Sequence, residues 1–536
     1  MRYLFEGEYR RNRTGLERHD SRRFDPSVDD FKRGIKMRAL LIYPQSPDTF
    51  WSFKYALKFI AKKALHPPLG LVTVAAMLPE AWEIKLVDEN VEPLKDKHLD
   101  WADYVFISAM AIQRKSVKRV VARCREKGVK VVAGGPLFTA SHHEFDGIDH
   151  FVLGEAEVTL PGFLRDLEAG QARAVYTTDQ FPALADTPLP MWSLLKLRRY
   201  ASMSLQYSRG CPYNCEFCDI TSLFGRKVRS KSTAQVLAEL DSLYTAGWRG
   251  SLFIVDDNFI GNKVKLKRNL LPAIIAWMRL HKRPFSLSTE ASIDLSDDPE
   301  LMRMMVQAGF EGVFVGIETP NEDSLAECSK LQNRGRDLVA CVRKIQSFGL
   351  EVRGGFIVGF DHDSPSVFGK QIELIQNSRI VTAMVGLLNA PRGSQLYERI
   401  AQEGRLLAEA TGDNTDLSTN IAPKMGLEAL CRGYEQIISG IYSPRPYYER
   451  VRAYLREYRP LEKKGLHFHA RYMRLHFGYA FALPKTMLVL GVKDRARFQY
   501  WKLLFWSLFR RPQLIPMALT FAVYGFHFRK IFQASL

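Results

Sequence analysis

The chain has 536 residues, room for about three domains, with 46% hydrophobic and 25% charged residues in ordinary globular proportion. Seven cysteines, three of them in one loop, exclude a disulfide scaffold and point to the reducing cytoplasm. The net charge of +18 is concentrated: residues 441–536 carry 18 Lys/Arg against 4 Asp/Glu, residues 1–36 carry 10 against 7, and the stretch between is close to neutral. A body that binds a polyanion along its length is thereby excluded, and the C-terminal region is left as the basic surface.

Residues 1–36 are polar and Arg-rich, without the apolar run of a signal peptide, and their seven acids are foreign to a transit peptide. An over-extended start or a disordered arm is expected there. From Met37 short apolar runs at 38–43, 83–89, 104–110, 130–134 and 150–154 alternate with helical patterns at 69–78 and 117–126. That alternation predicts a doubly wound parallel sheet with its ligand crevice at the carboxyl ends of the strands. No G-x-G-x-x-G follows the first strand, so a nicotinamide dinucleotide is not expected. Gly134, Gly135, Gly154 and Glu155 fall where such a crevice forms, although each glycine taken alone is equally a tight turn.

Residues 176–200 are rich in proline, contain Met191-Trp192, and read as a linker with an anchoring aromatic. A second alternating series follows, with strands at 203–207, 251–256, 285–289, 312–316, 354–358 and 382–388. Six strands with helices between them predict a partial (βα)6 barrel, whose active site lies on the loops after the strands. The loop after the first strand is Ser-Arg-Gly-Cys-Pro-Tyr-Asn-Cys-Glu-Phe-Cys-Asp, residues 208–219, with Cys211, Cys215 and Cys218 in C-x3-C-x2-C spacing. Three thiolates on one loop can hold three irons of a cubane cluster and leave the fourth open to a small molecule. A structural zinc needs a fourth ligand, and neither a second pair nor a nearby histidine supplies one. Three is also an odd number for disulfides. The remaining cysteines, Cys124, Cys328, Cys341 and Cys431, read as small buried hydrophobes.

Asp256 and Asp257 end the second barrel strand, Glu290 the third and Glu318 the fourth, while Gly355 and Gly359 lie on the fifth. Carboxylates and bare backbone at one rim suit a zwitterionic, ribose-bearing ligand, though any single acid here is equally a cap or a solvated loop end. With the cysteine loop, this set resembles the radical S-adenosylmethionine (SAM) superfamily. The resemblance implies a [4Fe–4S] cluster on Cys211, Cys215 and Cys218, SAM on its open iron, and Phe217 beside the adenine. Asp256, Asp257, Glu290, Glu318, Gly355 and Gly359 become the expected SAM contacts. The first half resembles the cobalamin-binding domain that precedes the barrel in many of these enzymes, through PPLGL (67–71), VDEN (87–90), AGGP (133–136) and LGEAE (153–157). Leu69, Gly70, Ser108, Gly134, Gly135 and Glu155 are then the expected cobalamin contacts. D-x-H-x-x-G is absent, so a corrinoid is held without a histidine on cobalt, or the domain has lost it.

From about residue 441 the chain changes character, with 21 aromatics among 96 residues against 12% overall. Phe498, Trp501, Phe505 and Phe509 recur at helical spacing beside Lys502, Arg510 and Arg511. Residues 512–528 are uncharged, but Pro516, Gly525 and the short length argue against a spanning helix. Three readings stand: a surface lying on an anionic membrane, core packed on the barrel, or an RNA surface. This tail and FIVDDNFIGN (253–262) resemble the branch containing hopanoid ring methylases and archaeal tetraether-lipid ring-forming enzymes.

The expected organisation is an arm at 1–36, a cobalamin-type domain at 37–175, a linker at 176–200, a barrel at 201–400 and a basic helical region at 401–536. The expected activity is radical methylation of an unactivated carbon of a hydrophobic lipid. Its partners would be an electron donor such as flavodoxin or ferredoxin, and peripheral contact with the inner membrane face; nucleic acid is not expected. The alternatives are radical ring formation, tRNA modification, and a non-catalytic iron–sulfur or corrinoid regulator. The tRNA methylthiolating relatives carry an extra cysteine trio in the first domain, where this chain has only Cys124.

Overall fold

The computed structural model describes residues 36–413, 415–459 and 482–535. The arm expected at 1–36 therefore lies, but for Lys36, outside the described residues. The first sheet contains β1 (Arg38–Tyr43), β2 (Glu83–Asp88), β3 (Tyr104–Ser108), β4 (Lys130–Gly134), β5 (His150–Val152) and β6 (Val175–Tyr176), in the order β2-β1-β3-β4-β5-β6 and all parallel. Helices α1 (Leu69–Ala75), α2 (Arg114–Glu126) and α3 (Ala156–Glu168) lie between these strands. Cores pack on both faces of the sheet, which is why β1 reads as an almost continuous apolar run instead of alternating. The order reverses direction between β1 and β3, the switch point where such sheets bind ligands.

The second sheet contains β7 (Ser202–Leu205), β10 (Gly250–Ile254), β11 (Phe285–Glu290), β12 (Phe310–Glu318), β13 (Glu351–Val358) and β14 (Ala383–Leu387), paired in chain order and all parallel. Its ends, β7 and β14, are not paired with each other, so the sheet is an open half-barrel. The chain is an α/β protein with a doubly wound parallel sheet, an open parallel half-barrel and a mostly helical C-terminal region. Two further strands, β8 (Ser208–Arg209) and β9 (Arg229–Ser230), form a short antiparallel pair that runs of apolar residues do not predict. Local chemistry fixes the helix ends: before the helix Thr233–Thr245, Ser232 and Gln235 cap each other's backbone N–H in a capping box. In the linker, Trp192 is buried and donates its indole N–H to Ser242 Oγ at 2.9 Å, the anchoring role expected of it.

The C-terminal helices α4 (Leu427–Tyr442), α5 (Pro444–Glu457), α6 (Ala482–Leu488), α7 (Arg497–Arg510) and α8 (Ile515–Ser535) divide between two of the three readings of the tail. Tyr500, Leu503, Phe521, Phe528 and Phe532 are buried in the same core as the barrel. Phe528 stacks on Phe50 at 4.1 Å, and Tyr447 donates to the carbonyl of Phe521 at 2.7 Å. The uncharged stretch 512–528 is thus internal packing, and among the described residues no helix is long and apolar enough to cross a membrane. On α7, Trp501 is half-buried, whereas Phe498, Phe505 and Phe509 stand exposed. All seven cysteines are free; Cys124 and Cys328 are buried as expected, but Cys341 and Cys431 are only half-buried.

Candidate functional site

The cysteine loop leaves β7 and is pinned at its base by the β8–β9 pair. Asp256, at the end of β10, sets its direction: the buried carboxylate accepts from Tyr207 N (2.7 Å), Ser208 N (2.8 Å) and Ser208 Oγ (2.5 Å). Three donors of the strand-to-loop turn engage this one carboxylate, so Asp256 positions the loop. Gly210 follows with φ 90°, and a Cβ there would stand 2.8 Å from the carbonyls of Gly225 and Lys227; only glycine allows the turn. Cys211 N then donates to Gly225 O, Cys218 N to Cys215 O, and Glu216 N to Cys328 O. Burial pushes the Cys211 and Cys218 thiols above their ordinary range. Among the described residues no three His, Cys, Asp or Glu side chains converge as ligands of one ion. Three half-buried free thiols on one loop are the donor set that holds three irons of a cubane cluster.

Three other predicted contacts gather around this loop. Asp257 is half-buried with one enclosed carboxylate oxygen lacking a partner, and burial plus the charge of Asp256 raise its pKa to about 7. Glu290 is pushed further, to about 8, by burial and the charge of Asp257. A pair of carboxyls held this reluctantly as anions fits a ligand that brings a cation, such as the ammonium and sulfonium of SAM. Glu318 adopts φ 64° where the β12–β13 register slips, an uncommon conformation for a side-chain-bearing residue. Asn333 Nδ2 satisfies the carbonyls of Gly316 and Ile317, and Gln371 Nε2 that of Glu318, so the irregular backbone is held in place. The Glu318 carboxylate is bound by Lys330 Nζ at 2.8 Å.

Lys330 is the residue that sequence reasoning missed. Burial works against its ammonium, but Glu318 and the cysteines Cys215 and Cys218 outweigh it and raise its pKa. It lies 5.8 Å from the Phe217 ring centroid, which makes it a buried cation between the cluster loop and the acids. Gln332 was missed as well; its Nε2 lies 3.7 Å from Cys215 Sγ. Nothing in the local pattern singles out either one, because both act across a loop that follows the fourth barrel strand.

The predicted glycines have structural reasons of their own. A Cβ on Gly355 would meet the Phe314 ring at 2.8 Å, and one on Gly359 would meet Leu430 at 3.0 Å. In the first domain a Cβ on Gly134 would meet Val152 O at 2.7 Å, and one on Gly135 would meet Ser108 Oγ at 2.4 Å. Those two glycines close the ends of β3, β4 and β5 against each other. Gly70, beside the half-buried Leu69, and Gly154 have nothing within 4 Å of a Cβ. They leave free space at the sheet's carboxyl edge, which fits a large planar ligand.

Glu155 is placed differently from a free ligand contact. Its two carboxylate oxygens take Arg209 (2.5 Å) and Arg229 (2.6 Å), while Glu157 takes Arg209 at 2.8 Å. These buried charges tie the end of the first sheet to both strands at the base of the cysteine loop.

Family models match three stretches: a B12 binding domain over residues 60–164, the Radical SAM superfamily over 205–375, and a Domain of unknown function (DUF4070) over 394–536. An uncharacterized methyltransferase of Synechocystis sp. is 40% identical over 505 residues, 92% of this chain and 91% of that protein. The chain belongs to the cobalamin-binding radical SAM methyltransferases. Another member of the family, the hopanoid C-2 methylase of Rhodopseudomonas palustris, is 34% identical over 69% of this chain and 71% of its own length. Among solved structures, the radical SAM methyltransferase TsrM of Kitasatospora setae superposes with a TM-score of 0.55 at 16% identity, covering 70% of this chain and 77% of its own, a likeness of fold. As a cobalamin-binding radical SAM methyltransferase, the protein uses a [4Fe–4S] cluster, SAM and cobalamin.

Proposed function

We propose that this enzyme methylates an unactivated carbon of a bulky, mostly apolar lipid, of the kind named by its hopanoid methylase relatives. The observation that carries the reading is the half-barrel's interior. Inward positions of five adjacent strands alternate with fully buried ones yet stay partly accessible: Phe253, Ser288, Phe314, Arg353 and Met384. Such alternation marks a hollow, and two rings and a thioether on its wall suit an apolar occupant.

In this reading Cys211, Cys215 and Cys218 hold the cluster, Asp257 and Glu290 accept from the SAM ammonium and hydroxyls, and the open edge around Gly70 and Gly154 takes the corrin. When bound, cluster and SAM supply hydrogen abstraction from an inert C–H bond, and cobalamin supplies the methyl group. The chain's own residues hold the reacting groups in line and keep water away from them. Lys330 and Glu318 fix a buried charge pair beside the thiolates, and the ionic cluster around Glu155 holds the first domain against the loop.

The exposed face of α6 and α7 supports delivery from a membrane surface. Leu488, Val492, Phe498, Phe505, Leu508 and Phe509 are exposed there, Phe498 by 74% and Phe509 by 78%. Lys485, Lys493, Arg495, Arg497, Lys502 and Arg510 lie in the same stretch of chain. The acid of this stretch, Asp494, is already paired with Arg529 at 2.7 Å. Exposed aromatics within a cationic helical stretch are the chemistry of a peripheral helix on anionic lipid.

The test is anaerobic incubation of the reconstituted enzyme with reductant, cobalamin, a membrane-lipid extract and SAM deuterated on its methyl. A lipid gaining the labelled methyl supports the reading. Labelling confined to water-soluble compounds refutes it.

A further inference from the structure

The cysteine loop is gripped from outside the barrel by the helix Gln395–Gln402, where the match to the domain of unknown function begins. Ser394 caps this helix by accepting from Tyr397 N at 3.1 Å. Its first turns meet the two residues that flank Cys215. Asn214 and Gln395 exchange side-chain amide hydrogen bonds at 3.3 and 3.4 Å, and Leu396 N donates to Glu216 O at 2.9 Å. Arg399 closes the grip: its Nε donates to Glu216 Oε1 at 2.6 Å and its Nη2 to Oε2 at 3.1 Å.

This fork-on-fork geometry uses both oxygens of Glu216, and among the described residues that carboxylate pairs with no other cation. The pair is partly shielded from water, with the Glu216 side chain 14% exposed and that of Arg399 30%. Arg399 is braced in turn. Its Nη1 donates to Asp361 at 3.2 Å and to Glu403 at 3.1 Å, while Asp361 also takes Arg405 at 2.6 Å and Lys424 at 3.2 Å. Glu216 adjoins a cluster ligand, so its negative charge opposes the addition of an electron to a cluster held there, and the guanidinium cancels that charge. The charged pair also supplies two parallel bonds that fix the direction of the loop at Cys215, which a single neutral contact would not.

We propose that Arg399 and Glu216 are a positioning pair for the cluster: the C-terminal region fixes Cys215 through them, and their mutual neutralisation keeps the cluster reducible. The electron comes from an external one-electron reductant, and both residues act through Cys215. The proposal rests on the assignment of the cluster to Cys211, Cys215 and Cys218. It gives the domain of unknown function a role in preparing that cluster, reached from outside the barrel.

The test is an anaerobic redox titration of the reconstituted full-length enzyme with dithionite, without SAM, following the electron paramagnetic resonance signal of the reduced cluster. Arg399→Gln leaves Glu216 uncompensated and should lower the reduction constant about three- to tenfold, a shift of roughly 30–60 mV to more negative potential. Glu216→Gln should move it by a similar factor in the opposite direction. Arg399→Lys keeps the charge and should stay within about twofold of the wild type, and the double Gln variant should return close to it. A merely structural pair would give shifts of one sign or none, and either result overturns the proposal. Should Arg399→Gln fail to fold, Glu216→Gln decides, because Arg399 then keeps Asp361 and Glu403; an unchanged or more negative potential overturns the proposal. A wild type that takes up no cluster would overturn the loop assignment itself, and the pair's role with it.

Discussion

Replacing Glu290 by Gln separates ligand recognition from folding, because the account gives the two effects opposite signs. The carboxyl has a folded pKa of about 8 against an ordinary 4.5, raised by burial and by Asp257. With a raised folded pKa, the unfolded chain releases its proton first, so the unliganded protein loses stability as pH climbs from about 4.5 towards 8. At about 1.4 kcal/mol per pKa unit the full shift would cost some 4–5 kcal/mol; the accessible hollow beside Glu290 screens part of it, leaving about 2–3 kcal/mol. Gln carries no such cost. Unliganded Glu290→Gln should therefore match the wild type near pH 5 and melt a few degrees higher at pH 8. SAM should bind it about 10–100-fold more weakly, through loss of a charge-assisted hydrogen bond. Anaerobic thermal scans at the two pH values, with SAM titrations by calorimetry, read both effects. A variant destabilised equally at both pH values, or one with unchanged SAM affinity, would refute the placement of Glu290 as an ammonium acceptor.

Other substitutions test the remaining parts. Cys215→Ala should lose the visible iron–sulfur absorption and all SAM cleavage, and deoxyadenosine formation by that variant would contradict the cluster assignment. Glu155→Gln leaves Arg209 and Arg229 buried with too little counter-charge and should cost about 3–5 kcal/mol, read as a lowered melting temperature. Stability unchanged by that substitution would mean the two domains are not tied there. Phe505→Asp with Phe509→Asp should release the enzyme from anionic vesicles at unchanged melting temperature, since both rings are exposed. Deleting the tail is a poorer test, because Tyr500, Phe521 and Phe528 belong to the common core.

The strands were legible because parallel strands buried on both faces are short apolar runs between helical patterns, and 38–43 and 130–134 match β1 and β4 residue for residue. The cysteine loop was legible because its chemistry is written in eight consecutive residues. What could not be read are the partners that chain order separates. Glu155 lies 54 residues from Arg209, and Trp51 lies 333 from Met384. An acid at a strand end looks alike whether it is held without a cationic partner, as proposed for Glu290 in ligand binding, or holds a turn, as Asp256 does. Likewise the AGGP glycines satisfy close backbone packing, a demand invisible without the neighbouring strands. The aromatic tail divided between core and surface because helical spacing places residues on a face without saying what covers it.

The central claim, radical methyl transfer, is tested most directly by counting products. Reconstituted enzyme with cobalamin, reductant, SAM and membrane lipid should form deoxyadenosine and S-adenosylhomocysteine in equal amounts, one of each per methyl transferred. Deoxyadenosine accumulating with substrate turnover but without S-adenosylhomocysteine would contradict methyl transfer and point to radical ring formation.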